Sequence, residues 1–411
     1  MTPDSKTKRK VIVQAYACNP YEGSEPGVGW HMCQAIATDN ETWVITRKNN
    51  KPAIDKETLL YPNSNLHFAY TDVPRWLSFW KKGGRGIRTY YYLWQFAALI
   101  KALALLKKHQ FDLAHHVTFV NDWLFSSFAF LPIPFIWGPI GSHPKAPASL
   151  VLSKKDYIKD RLGYGFKSCM RIFDPLFWIC AIRSKLIIGI SKEVATKFPL
   201  SILSRGKYIN HTAIGVEDIF EIAPNKTGKN IISIGRLVAL KAFHITIDAF
   251  HKAHKIDPEL NLTIIGKGHL KSTLTERCKQ LDILDSTTFL EWLPRDETLK
   301  HMNQSDIFLF PSFEGGGMVI LEAMANGLPV ACLNYGGPGE MVDPVLCKPV
   351  NINDYNTTVS DLSDSILQLS HYNNQDRMNI QQWVSDHYLW SKRHLKINKW
   401  YTLALDHGKH K

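Results

Sequence analysis

The sequence predicts an α/β protein made of two doubly wound, Rossmann-like domains. Three observations carry that expectation. The C-terminal half alternates short β-rich runs with helical patterns. The N-terminal half repeats the alternation less regularly. The length, 411 residues at 45% hydrophobic and 21% charged, suffices for two cores of ordinary size. Such alternation implies parallel sheets, right-handed crossovers and ligands outside the carboxyl ends of the strands.

In the first half, strands are expected at 11–17 (VIVQAYA), 42–48, 65–71, 111–117 (FDLAHHV), 134–141 (PFIWGPIG) and 185–191. The apolar run at 11–17 follows a charged start and is interrupted by Gln14, too short for a secretory h-region. The apolar stretch at 128–141 is broken by Pro132, Pro134 and Pro139, so it does not qualify as a spanning helix. In the second half, strands are expected at 230–235, 260–266, 287–293, 306–312 and 328–334, with helices over Phe243 to Lys255 and Leu270 to Leu281. The stretch between Pro199 and Asn230 is polar and irregular and reads as the join. The expected division is therefore a first domain over 1–198, a link over 199–229, a second domain over 230–379, and a tail helix over 380–411 returning to the first domain. Trp383, Tyr388, Leu389, Trp390, Leu395 and Trp400 are its apolar anchors.

The net charge of +12 favours an anionic partner: nucleic acid, acidic lipid or a phosphorylated substrate. Seven dispersed cysteines form no CxxC pair and no zinc-ligand spacing, which suits a reducing cytoplasm. Between Val73 and Phe111 there are eight Lys/Arg and no Asp/Glu, interleaved with Trp76, Phe79, Trp80, Tyr90, Tyr91, Tyr92 and Trp94. From Tyr92 onward the pattern reads as an ordinary helix with Leu93, Phe96, Ala97, Ile100 and Leu103 toward the core and Lys101, Lys107 and Lys108 outside. The part from Arg75 to Arg88, with Lys81, Lys82 and Arg85, fits either an anionic membrane surface or a nucleic-acid patch.

Three strand ends carry groups suited to a phosphorylated ligand. Gly235-Arg236-Leu237 follows a strand and Lys241 lies five residues after Arg236, so two cations converge where an α/β ligand sits. Alone, such a dipeptide reads as a solvated turn. Gly266-Lys267-Gly268 follows the next strand and is equally compatible with an ordinary βα turn. The third is PSFEGGGMVILEAMANGLPV, in which Glu314 lies in a loop and Glu322 in the helix that begins near Gly317 or Met318. The amides of Gly317, Met318 and Val319 would be free at that helix start, a natural phosphate site. Glu322 stands in an otherwise apolar helix, where a carboxylate needs a partner.

Taken together, these motifs resemble the retaining glycosyltransferases of GT-B fold, glycosyltransferase family 4. The resemblance covers nearly the whole chain: GRL…K at 235–241, the paired Glu314 and Glu322 followed by EAMANGLPV, FLEWLPRDE at 289–297 and GGPGEMV at 336–342. In the first half, GSEPGVGW (23–30) resembles the family's Gly-rich loop with Gly27 and Gly29, and DLAHH (112–116) resembles its Asp-x-x-His strand end, with His115 at the donor sugar and His116 as the neighbour it could be confused with. Two departures stand out. Gly316 occupies a position where Phe is common, and Ile214-Gly215-Val216-Glu217 replaces the usual Asn-Gly-Val-Asp.

The resemblance implies two domains facing a cleft and transfer of a sugar, with retention, from a UDP-, GDP- or ADP-sugar. Arg236, Lys241 and the amides near Met318 would take the departing diphosphate, Glu314 the sugar and Glu322 the ribose; Glu314 and His115 are the catalytic candidates. No Asp-x-Asp triplet occurs, so no metal or other cofactor is expected. The acceptor is expected to be a glycan or lipid-linked intermediate of polysaccharide, lipopolysaccharide or glycolipid synthesis. The enzyme is expected in the cytoplasm or peripherally at the cytoplasmic face of the inner membrane. A nucleotide-sugar epimerase of the same fold and a basic nucleic-acid binder are the competing readings; no nucleic-acid motif supports the latter. A phosphorylase is disfavoured by the chain length.

Overall fold

A computed structural model describes residues 8–81, 83–203, 207–224 and 226–406. Lys82, and positions 204–206 and 225 of the expected link, lie outside them. The chain divides into two compact units. The first holds residues up to 142, 166–213 and those from 390 onward; the second holds 143–165 and 214–389.

The first unit contains a seven-stranded sheet: β1 (Lys10–Ala15), β2 (Glu41–Arg47), β3 (Leu66–Thr71), β4 (Leu113–Thr118), β5 (Phe135–Ile140), β6 (Leu186–Gly189) and β7 (Tyr208–Asn210). Its order is β3-β2-β1-β4-β5-β6-β7 and every pairing is parallel. The second unit contains β8 (Asn230–Ile234), β9 (Asn261–Ile265), β10 (Thr287–Leu290), β11 (Ile307–Phe310) and β12 (Val330–Cys332), in the order β10-β9-β8-β11-β12, again all parallel. Parallel strands are covered on both faces, which explains why β1, β4, β5, β6 and β11 are buried along almost their whole length, with no alternation. In each sheet the winding direction reverses once, between β1 and β4 and between β8 and β11. Ligands of open α/β sheets bind at that reversal.

Four expectations change. First, the stretch read as an irregular join contains β7, which extends the first sheet by pairing with β6; three residues in a polar context give no periodic signal. Second, residues 143–165 group with the second unit, because Ala146 and Leu150 enter its core. Third, the tail is two helices, Asn374–His387 in the second unit and Trp390–Asp406 in the first. They part at Leu389, which makes a parallel bridge to Val216; Leu395, read as an anchor, is exposed. Fourth, the Ile87–Leu106 helix is turned about its axis relative to the expected packing. Tyr91, Trp94, Gln95, Ala98 and Ala102 are buried, while Phe96, Ile100 and Leu103 are exposed. Small side chains at 98 and 102 let the helix approach the sheet closely, and Trp94 anchors it by donating from Nε1 to the Thr71 carbonyl (3.1 Å).

Candidate functional site

The β8–β11 reversal gathers the motif residues of the second unit. The loops after β8 and β9 interlock through backbone: Gly235 N–H donates to Ile265 O (3.0 Å) and Leu237 N–H to Lys267 O (3.0 Å). Gly266 has φ +154°, and a Cβ there would lie 1.9 Å from Gly235 O; at Gly268 it would lie 2.3 Å from Leu237 O. These two glycines therefore serve loop-on-loop packing, which holds the Arg236 turn in place.

Lys241 ends a 3-10 turn, Ala239–Lys241, and its Nζ lies 2.6 Å from Glu314 Oε2 and 4.7 Å from the Phe310 ring centre. Burial pushes the Lys241 ammonium below its usual range and Arg236 adds to that, while Glu314 pulls the other way. Arg236 is exposed, and its side chain has no hydrogen-bonded or ion-paired partner among the described residues. One cation is thus paired and half desolvated, and the other is open.

Beyond Glu314 the chain runs as a loop to the Met318–Ala325 helix. Glu314 O accepts from Gly337 N–H (3.0 Å), and Gly315 N–H donates to His143 Nδ1 (3.2 Å). A Cβ on Gly336 (φ +60°) would lie 2.3 Å from Glu314 O, so the 336–337 glycines admit the loop. A Cβ on Gly316 would lie 3.0 Å from Ile214 Cδ1, so Ile214 partly fills the space a side chain at 316 would take. The amides of Gly317, Met318 and Val319 find no acceptor among the described residues. This is the ordinary state of a helix start, beside two cations.

Glu322, four residues into that helix, does have a partner. Arg295 Nε lies 2.9 Å from its Oε1, and Arg295 Nη1 lies 3.8 Å from Glu217. Burial raises the Glu322 carboxyl above its usual range, Arg295 counters it and Glu217 adds to the rise. Reading the sequence did not single out Arg295, although FLEWLPRDE contains it. The signal was a carboxylate in an apolar helix, which demands a cation without saying where it lies in the chain. In the same segment Trp292 is exposed, with Lys267 Nζ 5.7 Å from its ring centre. A surface cavity of about 620 Å³, lined by Phe220, Pro224, Leu299 and Asn326 among others, includes none of Arg236, Lys241, Glu314 and Glu322.

The first unit's reversal is different. His115 is fully buried; its Nε2 lies 2.9 Å from Gly138 O and its Nδ1 2.9 Å from Tyr401 Oη. The carbonyl requires an N–H at Nε2, so Nδ1 accepts from the tyrosine. Burial pushes this ring down to about 4, so it is neutral near pH 7. With both nitrogens taken, His115 is a satisfied interior histidine and not the open group its motif implied. His116, on the opposite face of β4, donates from Nδ1 to Gln14 Oε1 (3.0 Å), and burial with its neighbour His115 pushes it down to about 3.

The Gly-rich segment of this unit is helix, not loop: Ser24–Asp39 includes Gly27 and Gly29. A Cβ at Gly29 would lie 2.0 Å from Ala17 O, and at Gly27 2.5 Å from Glu22 O, so both allow the first turns to sit against the chain leaving β1. Glu25, in the first turn, accepts the Val120 N–H. Burial pushes its carboxyl up to about 7, with the Val120 bond opposing. The quoted motif contained Glu25, but only the fold brings it to the loop after β4.

Residues 216–382 match the family model of glycosyl transferases group 1. Over 133 residues the chain is 34% identical to an uncharacterized glycosyltransferase of Haemophilus influenzae, covering 31% of this chain and 37% of that protein. Over 120 residues it is 32% identical to a glycogen synthase of Mycobacterium tuberculosis, covering 29% of each. The chain thus spans about a third of the length of these curated relatives. Among solved structures, Anabaena HepE in complex with UDP and glucose superposes with a TM-score of 0.57 at 16% identity, over 96% of this chain and 99% of that one. TarM superposes at 0.60 and 13%, over 98% and 99%. The fold is GT-B, as the sequence predicts.

Proposed function

We propose that this protein is a retaining, metal-independent glycosyltransferase that moves a sugar from a nucleoside diphosphate sugar to a glycan or lipid-linked acceptor in polysaccharide, lipopolysaccharide or glycolipid synthesis. The observation that carries the reading is the Lys241–Glu314 pair beside the open Arg236 at the β8–β11 reversal, within the segment that matches the group 1 family model.

The chemistry follows from charge. Breaking the anomeric bond adds a third negative charge to the departing diphosphate, on its terminal phosphate. Arg236 offers a planar fork of donors with no competing partner. Lys241 supplies a half-desolvated ammonium, and the amides of Gly317, Met318 and Val319 complete the cradle. Glu314, held by Lys241, would accept from the sugar hydroxyls and support positive charge growing at the anomeric carbon. Glu322, oriented by Arg295, would accept from the ribose hydroxyls. Trp292 gives the base a flat face. Glu314 and Glu322 are not a glycosidase pair in this reading, since they serve different ends of the donor. Arg236 and Lys241 supply the cationic charge a divalent ion supplies elsewhere. His115 drops out as a group touching the sugar, because both of its nitrogens are engaged.

A nucleotide-sugar donor is supported by the UDP and glucose bound to HepE. A lipid-linked acceptor is supported by another relative, the phosphatidylinositol monomannoside mannosyltransferase of Mycolicibacterium smegmatis, 30% identical over 120 residues. Residence at the cytoplasmic face of the inner membrane belongs to the same reading. So does peripheral contact through Arg75 to Arg88, where Trp76 and Phe79 are 73% and 79% exposed. No helix among the described residues is long and apolar enough to cross a membrane. A thermal-shift panel of UDP-, GDP- and ADP-sugars tests the donor site: one should stabilise the protein in a concentration-dependent way. Absence of any shift, or a shift that survives Arg236→Ala, overturns the assignment. Incubation with donor alone separates the epimerase reading, which requires an altered sugar nucleotide without acceptor.

A further inference from the structure

The first unit carries an apolar face that its own fold leaves uncovered. On the Ile87–Leu106 helix, Phe96, Ile100 and Leu103 recur at spacings of four and three, one stripe of the helix surface, and are 45%, 70% and 41% exposed. The stripe lies opposite the buried Trp94, Ala98 and Ala102, so the helix is apolar on both sides. A helix apolar all round is normally buried. The elements packed beside the stripe carry further exposed apolar side chains. Phe96 lies tilted against the buried Phe125 (5.9 Å between ring centres), and Phe125 meets the exposed Phe130 edge-on (6.3 Å) in the Ser127–Phe130 turn. That turn packs on the Pro175–Arg183 helix, whose Arg183 donates to Ala129 O and Leu131 O, and which exposes Ile179 and Ile182. Contiguous exposed apolar surface rimmed by polar groups marks an interaction site.

Charge selects the occupant. Lys107 and Lys108, both exposed, follow the stripe at the end of the helix, and neither 73–111 nor 175–192 contains a single Asp or Glu. A second copy set face to face would oppose lysine to lysine. A bilayer rich in anionic headgroups meets both the apolar stripe and the lysines at the end of its helix. We infer that the Phe96–Ile100–Leu103 stripe, with Phe130, Ile179 and Ile182, docks the first unit onto an anionic lipid surface. The inference extends the membrane contact proposed for Arg75 to Arg88 and moves its apolar anchor onto a different element, one whose sequence reads as core.

Flotation of the full chain with phosphatidylglycerol/phosphatidylethanolamine vesicles tests it. Three proteins are compared: wild type, Phe96→Ser/Ile100→Ser/Leu103→Ser, and Trp76→Ser/Phe79→Ser. The triple variant should lose about tenfold or more in vesicle partitioning, with its thermal midpoint and its shift by donor nucleotide unchanged. Binding by the triple variant equal to wild type, with loss only in the Trp76/Phe79 variant, overturns the stripe and leaves the Arg75 to Arg88 contact standing. Failure of wild type to float overturns both. A wild-type dimer that the triple variant dissociates assigns the stripe to a second copy and overturns the inference. The donor thermal shift is read on the same samples, so none of these outcomes bears on the sugar-transfer reading.

Discussion

The two strand reversals share a topology and differ in how completely their polar groups are satisfied. At β1–β4, His115 has both nitrogens bonded and lies in the interior. At β8–β11, Arg236 is open, Lys241 is held by one carboxylate, and the helix amides beyond Glu314 have no acceptor among the described residues. A group that is fully bonded and buried contributes to stability. A group held in place but incompletely bonded has capacity left for a ligand. This contrast is what supports the proposed donor site in the second unit, and in the same proposal the histidine of the first unit is structural.

The largest effect should come from Arg236. Arg236→Ala should lower the transfer rate roughly a hundredfold to a thousandfold and abolish the donor thermal shift, while the apo midpoint stays put because the side chain is exposed. Steady-state kinetics with the donor identified by the thermal-shift panel checks this. A loss below about fivefold would erase the contrast between the reversals.

Glu25 sharpens the comparison from the other side, since it is the one strongly perturbed carboxylate of the first reversal. Its native value of about 7 lies above its ordinary 4.5. Below about pH 4.5 both folded and unfolded chains hold the proton, and Glu25 has no effect. Between pH 4.5 and 7 the unfolded chain releases it while the native one does not, so stability falls as pH rises. Glu25→Gln lacks that penalty. Its advantage over wild type should grow by up to about 3 kcal/mol between pH 4.5 and 8, read from urea unfolding at each pH. Parallel curves would mean that the carboxyl is not desolvated.

His115→Ala should behave as a core lesion. It leaves Tyr401 Oη and Gly138 O without partners, which costs on the order of 2 kcal/mol. Transfer measured well below the midpoint should fall less than about tenfold. A drop like that of Arg236→Ala, with the midpoint intact, would return His115 to the sugar.

What could be read from the chain follows the same division. All five strands of the second unit were legible, because four of the β-rich runs end at glycine or proline, which marks both strand and strand end, and motif residues sit at those ends. Lys241 and Glu314 were each visible, but not that they pair. Arg295 was hidden because its partner is 27 positions away and nothing local couples them. The outward turn of the Ile87–Leu106 helix was illegible for a different reason: with large apolar residues on every side, periodicity cannot tell which face the sheet takes, and the alanines that decide it carry little hydrophobic weight. The attachment of residues 143–165 to the second unit rests on Ala146 and Leu150 in a Pro- and Lys-rich stretch, too sparse to form a pattern.

That attachment supports the smallest prediction. His143 accepts the Gly315 N–H at the start of a run of three glycines, and Tyr335 Oη donates to Lys145 O two residues on. Glycine loses the most conformational freedom on ordering, so an anchor at its first amide lowers what the donor must spend to order the loop. The anchor is exposed and its bond can be replaced by water, so its net worth is about 1 kcal/mol. His143→Ala should therefore raise the donor KM about fivefold with kcat little changed, and His143→Asn, whose Oδ1 can accept the same N–H, should recover most of it. Equal losses in kcat and kcat/KM would instead put His143 in contact with the reacting groups, and the loop would need no anchor from 143–165 at all.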